Sequence, residues 1–198
     1  MLRKMGIIFL SALLLFCLMP TVSALAAAKS QPTVKIETNM GNIVVELDEA
    51  KAPQTVHNFL KYVQAGFYDG TIFHRVIRGF MIQGGGLTAD MQDKPTKAAI
   101  RNEANNGLHN RKYTIAMART SEPHSATSQF FINTANNTPL DYRSQNEGEW
   151  GYAVFGRVIS GKDVVDKIER VATTSRGIHK DVPISPIIIR KITVLKSR

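Results

Sequence analysis

The chain has 198 residues, 43% hydrophobic and 21% charged, with 14 Gly, 8 Pro and a single Cys. That composition excludes wholesale disorder, collagen and coiled coil, and the length suits one domain with a core of its own. The formal charge is +9, from 25 Lys and Arg against 16 Asp and Glu, and calls for an explanation through partner or solubility.

Residues 1–26 read as a leader: Arg3 and Lys4, then an apolar run from Gly6 to Met19, then small residues around Ala24 and Ala26. The run is too short for the ~20 apolar residues of a membrane span, so a cleaved signal peptide is expected, with cutting after Ala26 and no membrane anchor afterwards. Cys17 lies inside the leader, so the mature chain has no thiol and no disulfide. Such a chain is expected in the bacterial periplasm, carrying a formal charge of +7 once Arg3 and Lys4 are lost. Residues 27–32 read as a short extension, and 33–198 as one domain without repeats or linkers.

Within that domain, 33–38 and 42–47 are β-rich runs joined across Asn39, Met40 and Gly41, the pattern of a hairpin. The clearest helix is 52–65: Pro53 suits its first turn, Val56, Phe59, Leu60 and Val63 fall on one face, and Gly66 stops it. A second helix is predicted over 162–171 from Val164, Val165, Ile168 and Val171. Further strands are predicted at 71–76, 80–84, 113–118, 129–133, 152–159 and 187–195. Eight strands and two helices suggest a mainly β barrel or sandwich, and closure into a barrel removes exposed edges. The polar stretch 136–149 reads as a surface loop.

Two stretches concentrate unusual residues. The first, FHRVIRGFMIQGG, spans 73–85; the second comprises MAR at 117–119 and SQFFIN at 128–133. Strand parity places Phe73 with Arg75, Met81 with Gln83, and Gln129 with Phe131, so three strands each pair an apolar with a polar side chain. By pattern alone these residues also suit a core with solvated edges.

Together with YAVFGRV at 152–158, these motifs resemble the cyclophilin peptidyl-prolyl cis–trans isomerases, and the likeness extends over essentially all of 33–195. With the leader and Tyr152, the chain is most similar to the family's periplasmic bacterial branch. The resemblance implies a closed eight-stranded antiparallel barrel capped by two α-helices. It implies Arg75 as the catalytic residue and a proline pocket of Phe80, Met81, Phe131 and Leu140. Gln83, Ala118, Arg119 and Gln129 would line the groove for the flanking peptide, with Tyr152 closing one side. Placing both Phe80 and Met81 at the pocket requires Phe80 at a bend where Gly79 enters the strand. Arg119 stands where many members have Asn; the family uses mainly backbone there, so little harm is expected. Pro139 stands where drug-sensitive members have a Trp, which implies weak cyclosporin binding, and Trp150 does not match that position.

The implied partners are proline-containing polypeptides of exported proteins, acted on by a monomer without a cofactor. Other chemistries find less support. His57, His74, His109, His124 and His179 lack metal-ligand spacing, with His74 expected in a hydrogen-bonded place behind the groove. There is no GxSxG. Gly84, Gly85 and Gly86 lack a following Lys-Ser/Thr pair and read as a turn needing positive φ. The basic residues Arg190, Lys191, Lys196 and Arg198 raise a nucleic-acid or anionic-surface reading, but they are not interleaved with aromatics, and no nucleic acid is expected. A proline-directed binding module or chaperone with little turnover is the remaining alternative.

Overall fold

A computed structural model describes residues 31–195; the leader, most of the short extension, Lys196 and Arg198 lie outside the described residues. The elements in chain order are β1 (Thr33–Thr38), β2 (Gly41–Leu47), α1 (Pro53–Gln64), β3 (Thr71–Ile77), β4 (Met81–Thr88), β5 (Thr114–Met117) and β6 (Phe130–Asn133). There follow β7 (Val154–Ser160), α2 (Lys162–Ile168), β8 (Thr173–Arg176), β9 (His179–Pro183) and β10 (Ile189–Leu195). Short 3-10 turns occur at Ala104–Asn106, Thr138–Leu140 and Glu147–Glu149, so the 136–149 loop is itself structured.

Eight strands form one antiparallel sheet in the order β10-β1-β2-β7-β5-β6-β4-β3. Its two outer strands meet at a single bridge between Ile72 and Ile188. Gly70 N and Phe73 N add bonds to Ile189 O and Ile187 O, each 2.9 Å. The mainly β architecture of eight antiparallel strands with two helices is as expected, but closure rests on this junction and not on a full ladder. Register irregularities between β1 and β10, β2 and β7, β3 and β4, and β5 and β7 supply the curvature that brings the ends together.

Alternation along each strand gives the sheet two faces. Inward, Ile36, Ile43, Val45, Phe73, Ile82, Ile115, Phe130 and Phe155 build the core with Phe59 of α1 and Val165 of α2. Phe59 meets Tyr68, Phe130 and Phe155 at ring-centroid distances of 5.2–5.6 Å. Outward, Met81, Ala116, Phe131 and Val154 form a second, separate apolar cluster.

The structure changes two local expectations. Gly84, Gly85 and Gly86 lie within β4 and do not form a turn; only Gly85 has a left-handed φ, +82°. A Cβ on Gly84 would come within 2.7 Å of Ile72 O, and one on Gly86 within 2.5 Å of the Gln129 side chain, so close approach explains the outer two glycines. The second change is at β3. Phe73 pairs with Gly84 but Arg75 pairs with Gln83, so a bulge intervenes between them. Phe73 therefore points into the core while Arg75 faces out, and the shared face expected from parity does not exist.

Candidate active site

Register brings the site together. Across β3, β4, β6, β5 and β7, Arg75 pairs with Gln83, Gln83 with Phe131, Phe131 with Ala116, and Ala116 with Val154. Directly paired side chains lie about 5 Å apart, so one cation stands at the end of a row that becomes apolar within two strands. Met81 is buried beside Phe131. Phe80, Leu140, Tyr152 and Ala118 are half-buried and pack against the same cluster.

Two turns carry the outer walls of this cluster. Phe80 sits in a turn closed by its N–H donating to Ile77 O (3.1 Å), with Gly79 at φ +70°, so the strand expected from residue 80 begins at Met81. Phe80 O accepts from Thr134 N and from Asn137 Nδ2, at 2.9 and 2.7 Å. Asn137 Nδ2 also donates to Asn133 Oδ1, whose own amide donates to Asn110 Oδ1 and Thr114 Oγ1. Asn110 Nδ2 donates to Leu140 O, which also accepts from Tyr152 N. Three asparagines, of which only Asn133 falls in a motif that stands out in the sequence, thus tie the Phe80 and Leu140 walls together. Burial works to raise the Asp141 carboxyl, but hydrogen bonds from Asn110 and His109 hold it below its ordinary value.

The remaining site residues form the groove beside Arg75. Gln83 Nε2 donates to Gln129 Oε1 (2.9 Å). Ala118 N donates to Gln129 O, keeping the 117–119 segment alongside β6. Tyr152 packs edge-on against Phe131 at 5.6 Å. Arg119 lies over the Tyr152 ring at 4.6 Å and donates to the carbonyls of Gly151, Thr120 and Ser121, so its side chain braces the groove wall. Of these, Arg75, Gln83, Arg119 and Gln129 line a cavity of about 420 Å³ together with Ile178, His179 and Lys180, whereas Ala118 and Tyr152 do not border it. Ile178, His179 and Lys180 come from the β8–β9 hairpin, where no strand is predicted from sequence.

Other predicted features lie elsewhere. His74 is buried and hydrogen-bonded to the Ile72 backbone, while its Nδ1 has no partner. Trp150 is buried between His124 and Tyr142, whereas Pro139 is exposed. Among the described residues no group of three or more His, Cys, Asp or Glu is arranged to hold a metal. A larger cavity, about 610 Å³, borders the cluster at Leu108 and Val154 but contains none of the polar groove residues.

An arrangement of one partly exposed cation beside an apolar surface, flanked by amide side chains, suits binding a peptide through an apolar side chain. It offers no nucleophile paired with a base.

Comparison with known proteins adds identity to this geometry. Residues 33–194 match the family described as cyclophilin type peptidyl-prolyl cis-trans isomerase/CLD. Over 163 residues the chain is 59% identical to peptidyl-prolyl cis-trans isomerase cyp18 of Streptomyces antibioticus, covering 82% of this chain and 98% of that protein. It is 55% identical over 161 residues to peptidyl-prolyl cis-trans isomerase B of Escherichia coli, covering 81% and 98%. A crystal structure of a Cryptosporidium parvum cyclophilin superposes with TM-score 0.69 at 27% identity, covering 85% of this chain and 99% of that one. A second crystal structure of that protein, in the presence of the dipeptide Ala-Pro, gives 0.68 at 27% identity, over 83% and 99%.

Proposed function

We propose, from the premise that this chain belongs to the cyclophilin-type peptidyl-prolyl cis–trans isomerases, that Arg75 lowers the barrier to X–Pro rotation while the outer apolar cluster holds the proline ring. Isomerisation as such follows from family membership, carried by 52–59% identity to bacterial peptidyl-prolyl cis-trans isomerases over most of the chain. The residue roles rest on one observation: the row from Arg75 through Gln83 and Phe131 to Ala116 and Val154.

Rotation about the peptide C–N bond faces ~18–20 kcal/mol because resonance gives that bond double-bond character. When the plane is broken, resonance is lost and the prolyl nitrogen regains a lone pair. A guanidinium aimed at that nitrogen gains a hydrogen bond which the planar ground state cannot accept, so the twisted state is bound more tightly. Arginine suits the task because it stays charged and presents several donors in a rigid fork. Phe80, Met81, Phe131 and Leu140 hold the ring, while Gln83, Ala118, Arg119, Gln129 and Tyr152 position the flanking peptide. No proton is transferred and no covalent bond breaks.

A hydrogen bond to a charged donor is worth about 1.5–3 kcal/mol, so Arg75→Ala should lose about tenfold to a hundredfold in kcat/KM with its thermal transition unchanged. A protease-coupled assay on an X–Pro peptide measures this. Wild-type turnover in the variant overturns the role of Arg75, and prolyl-peptide binding without turnover in the wild type favours a binding module instead.

The family's bacterial relatives and the leader pattern support a further reading. Residues 1–26 are removed as a signal peptide, and a monomeric, unanchored enzyme assists folding of exported proteins in the periplasm. Cell fractionation with N-terminal sequencing tests it; a cytoplasmic chain still beginning at Met1 overturns it.

A further inference from the structure

Hairpin β8–β9 has all four residues of β8 exposed and Ile178 near its tip 92% exposed, while burial is confined to Val182 and Pro183 at the end of β9. Its use is therefore sought at the surface it borders, which is the groove beside Arg75. On β9, Asp181 adopts a left-handed backbone, φ +59°, a conformation that costs most non-glycine residues and that Asp and Asn tolerate best. From that position its Oδ2 lies 3.8 Å from Arg75 Nε, the one ion pair of Arg75 among the described residues.

Three features of the contact matter. It engages Nε, so the two terminal nitrogens of the guanidinium stay free for a substrate amide. At 3.8 Å it is longer than a hydrogen bond, so it orients by charge without clamping. Both side chains are about two-fifths exposed, 43% and 41%, so solvent and salt weaken it. A long side chain that is this exposed samples many rotamers, and only some of them direct it along the row toward Gln83 and Phe131.

We propose that Asp181 is a positioning residue for the isomerase reaction, holding the Arg75 guanidinium over the apolar row through the β8–β9 hairpin. The proposal rests on the catalytic reading of Arg75, and its test separates the two. The full set is wild type, Asp181→Asn, Arg75→Ala and the double variant, with kcat and KM measured on one uncharged X–Pro peptide at low and ~1 M salt. Asn tolerates the same backbone, so the charge is removed without refolding the hairpin. Asp181→Asn should lower kcat about threefold, the scale of an exposed ion pair, with KM changed by less than about twofold. High salt should lower wild-type kcat by a similar factor and leave Asp181→Asn unmoved. In the Arg75→Ala background the Asn substitution should have no further effect. Wild-type kcat in Asp181→Asn, or the same loss repeated in the Arg75→Ala background, overturns the positioning role alone. Full turnover in Arg75→Ala overturns the catalytic reading and this proposal with it.

Discussion

Beside Arg75 on β3, His74 shows what the bulge does to a single residue. It is 6% exposed, and its buried Nδ1 has no partner. Desolvation disfavours the imidazolium there, with the charges of His179 and Arg75 adding to it and Asp93 and the Ile72 backbone opposing, so its pKa falls from 6.5 to about 4. Above pH 6.5 the ring is neutral both folded and unfolded, and the site contributes nothing. Below 6.5 the unfolded chain takes up a proton first, so stability drops as pH falls and levels off below about 4. The full loss is about 3 kcal/mol. Urea unfolding at pH 7, 5 and 4 should show the wild type losing this much more than His74→Gln; parallel losses refute it. The same bulge marks a limit on reading this sequence. Parity works at Met81 with Gln83, where β4 runs regularly, and fails between Phe73 and Arg75, because one extra residue in a strand flips every side chain after it. Arg75 was legible from the motif around it and not from its spacing.

At the scale of elements, α1 begins without a local cap. Ala52 has no side chain able to accept from the first turn, and that turn contains no acidic residue. Glu103, beside the Ala104–Asn106 turn, does the work: its carboxylate accepts from Gln54 N, Thr55 N and Thr55 Oγ1 at 3.1, 2.8 and 2.7 Å. A negative charge at a helix N-terminus and two satisfied N–H groups together stabilise by about 1–2 kcal/mol. Glu103→Ala should therefore lower stability by about that amount, read from the urea midpoint, and Glu103→Gln by roughly half as much. Equal midpoints for wild type and Glu103→Ala would remove the capping role. Periodicity and Pro53 made α1 visible, with ends within a residue of those expected, whereas its cap comes from 48 residues away and leaves no local trace. The β8–β9 hairpin escapes for a related reason. Its exposed Thr173, Thr174, Ser175 and Arg176 do not alternate in polarity, and only Gly177 at φ +58° hints at the turn. Only Val182 and Pro183 at the end of β9 are buried, too few to set a strand pattern, and what the hairpin does is visible only where it meets Arg75.

For the whole molecule, the sheet separates two tasks that share strands. Ile82, Ile115, Phe130 and Ile132 face the core while their neighbours Met81, Ala116 and Phe131 face the outer cluster, so both clusters rest on one set of strands. The excess of positive charge is also unevenly placed. On β10, exposed Arg190 and Lys191 face Glu37, paired with Lys191 across the strands and 2.6 Å from Lys35, so the signs there are mixed. The groove differs: Arg75, Arg119 and Lys180 line it against the single carboxylate of Asp93, with Asp181 beside Arg75. A polypeptide entering it meets net positive potential, and an acidic side chain next to the X–Pro bond should be favoured. In matched peptides differing only by Glu or Lys two residues before the proline, the Glu peptide should have the higher kcat/KM at low ionic strength, by about threefold. Near 1 M salt, where screening acts within ~3 Å, the two should converge. A preference for Lys, or a Glu preference that persists at high salt, would mean that the groove's charge plays no part in choosing its substrates.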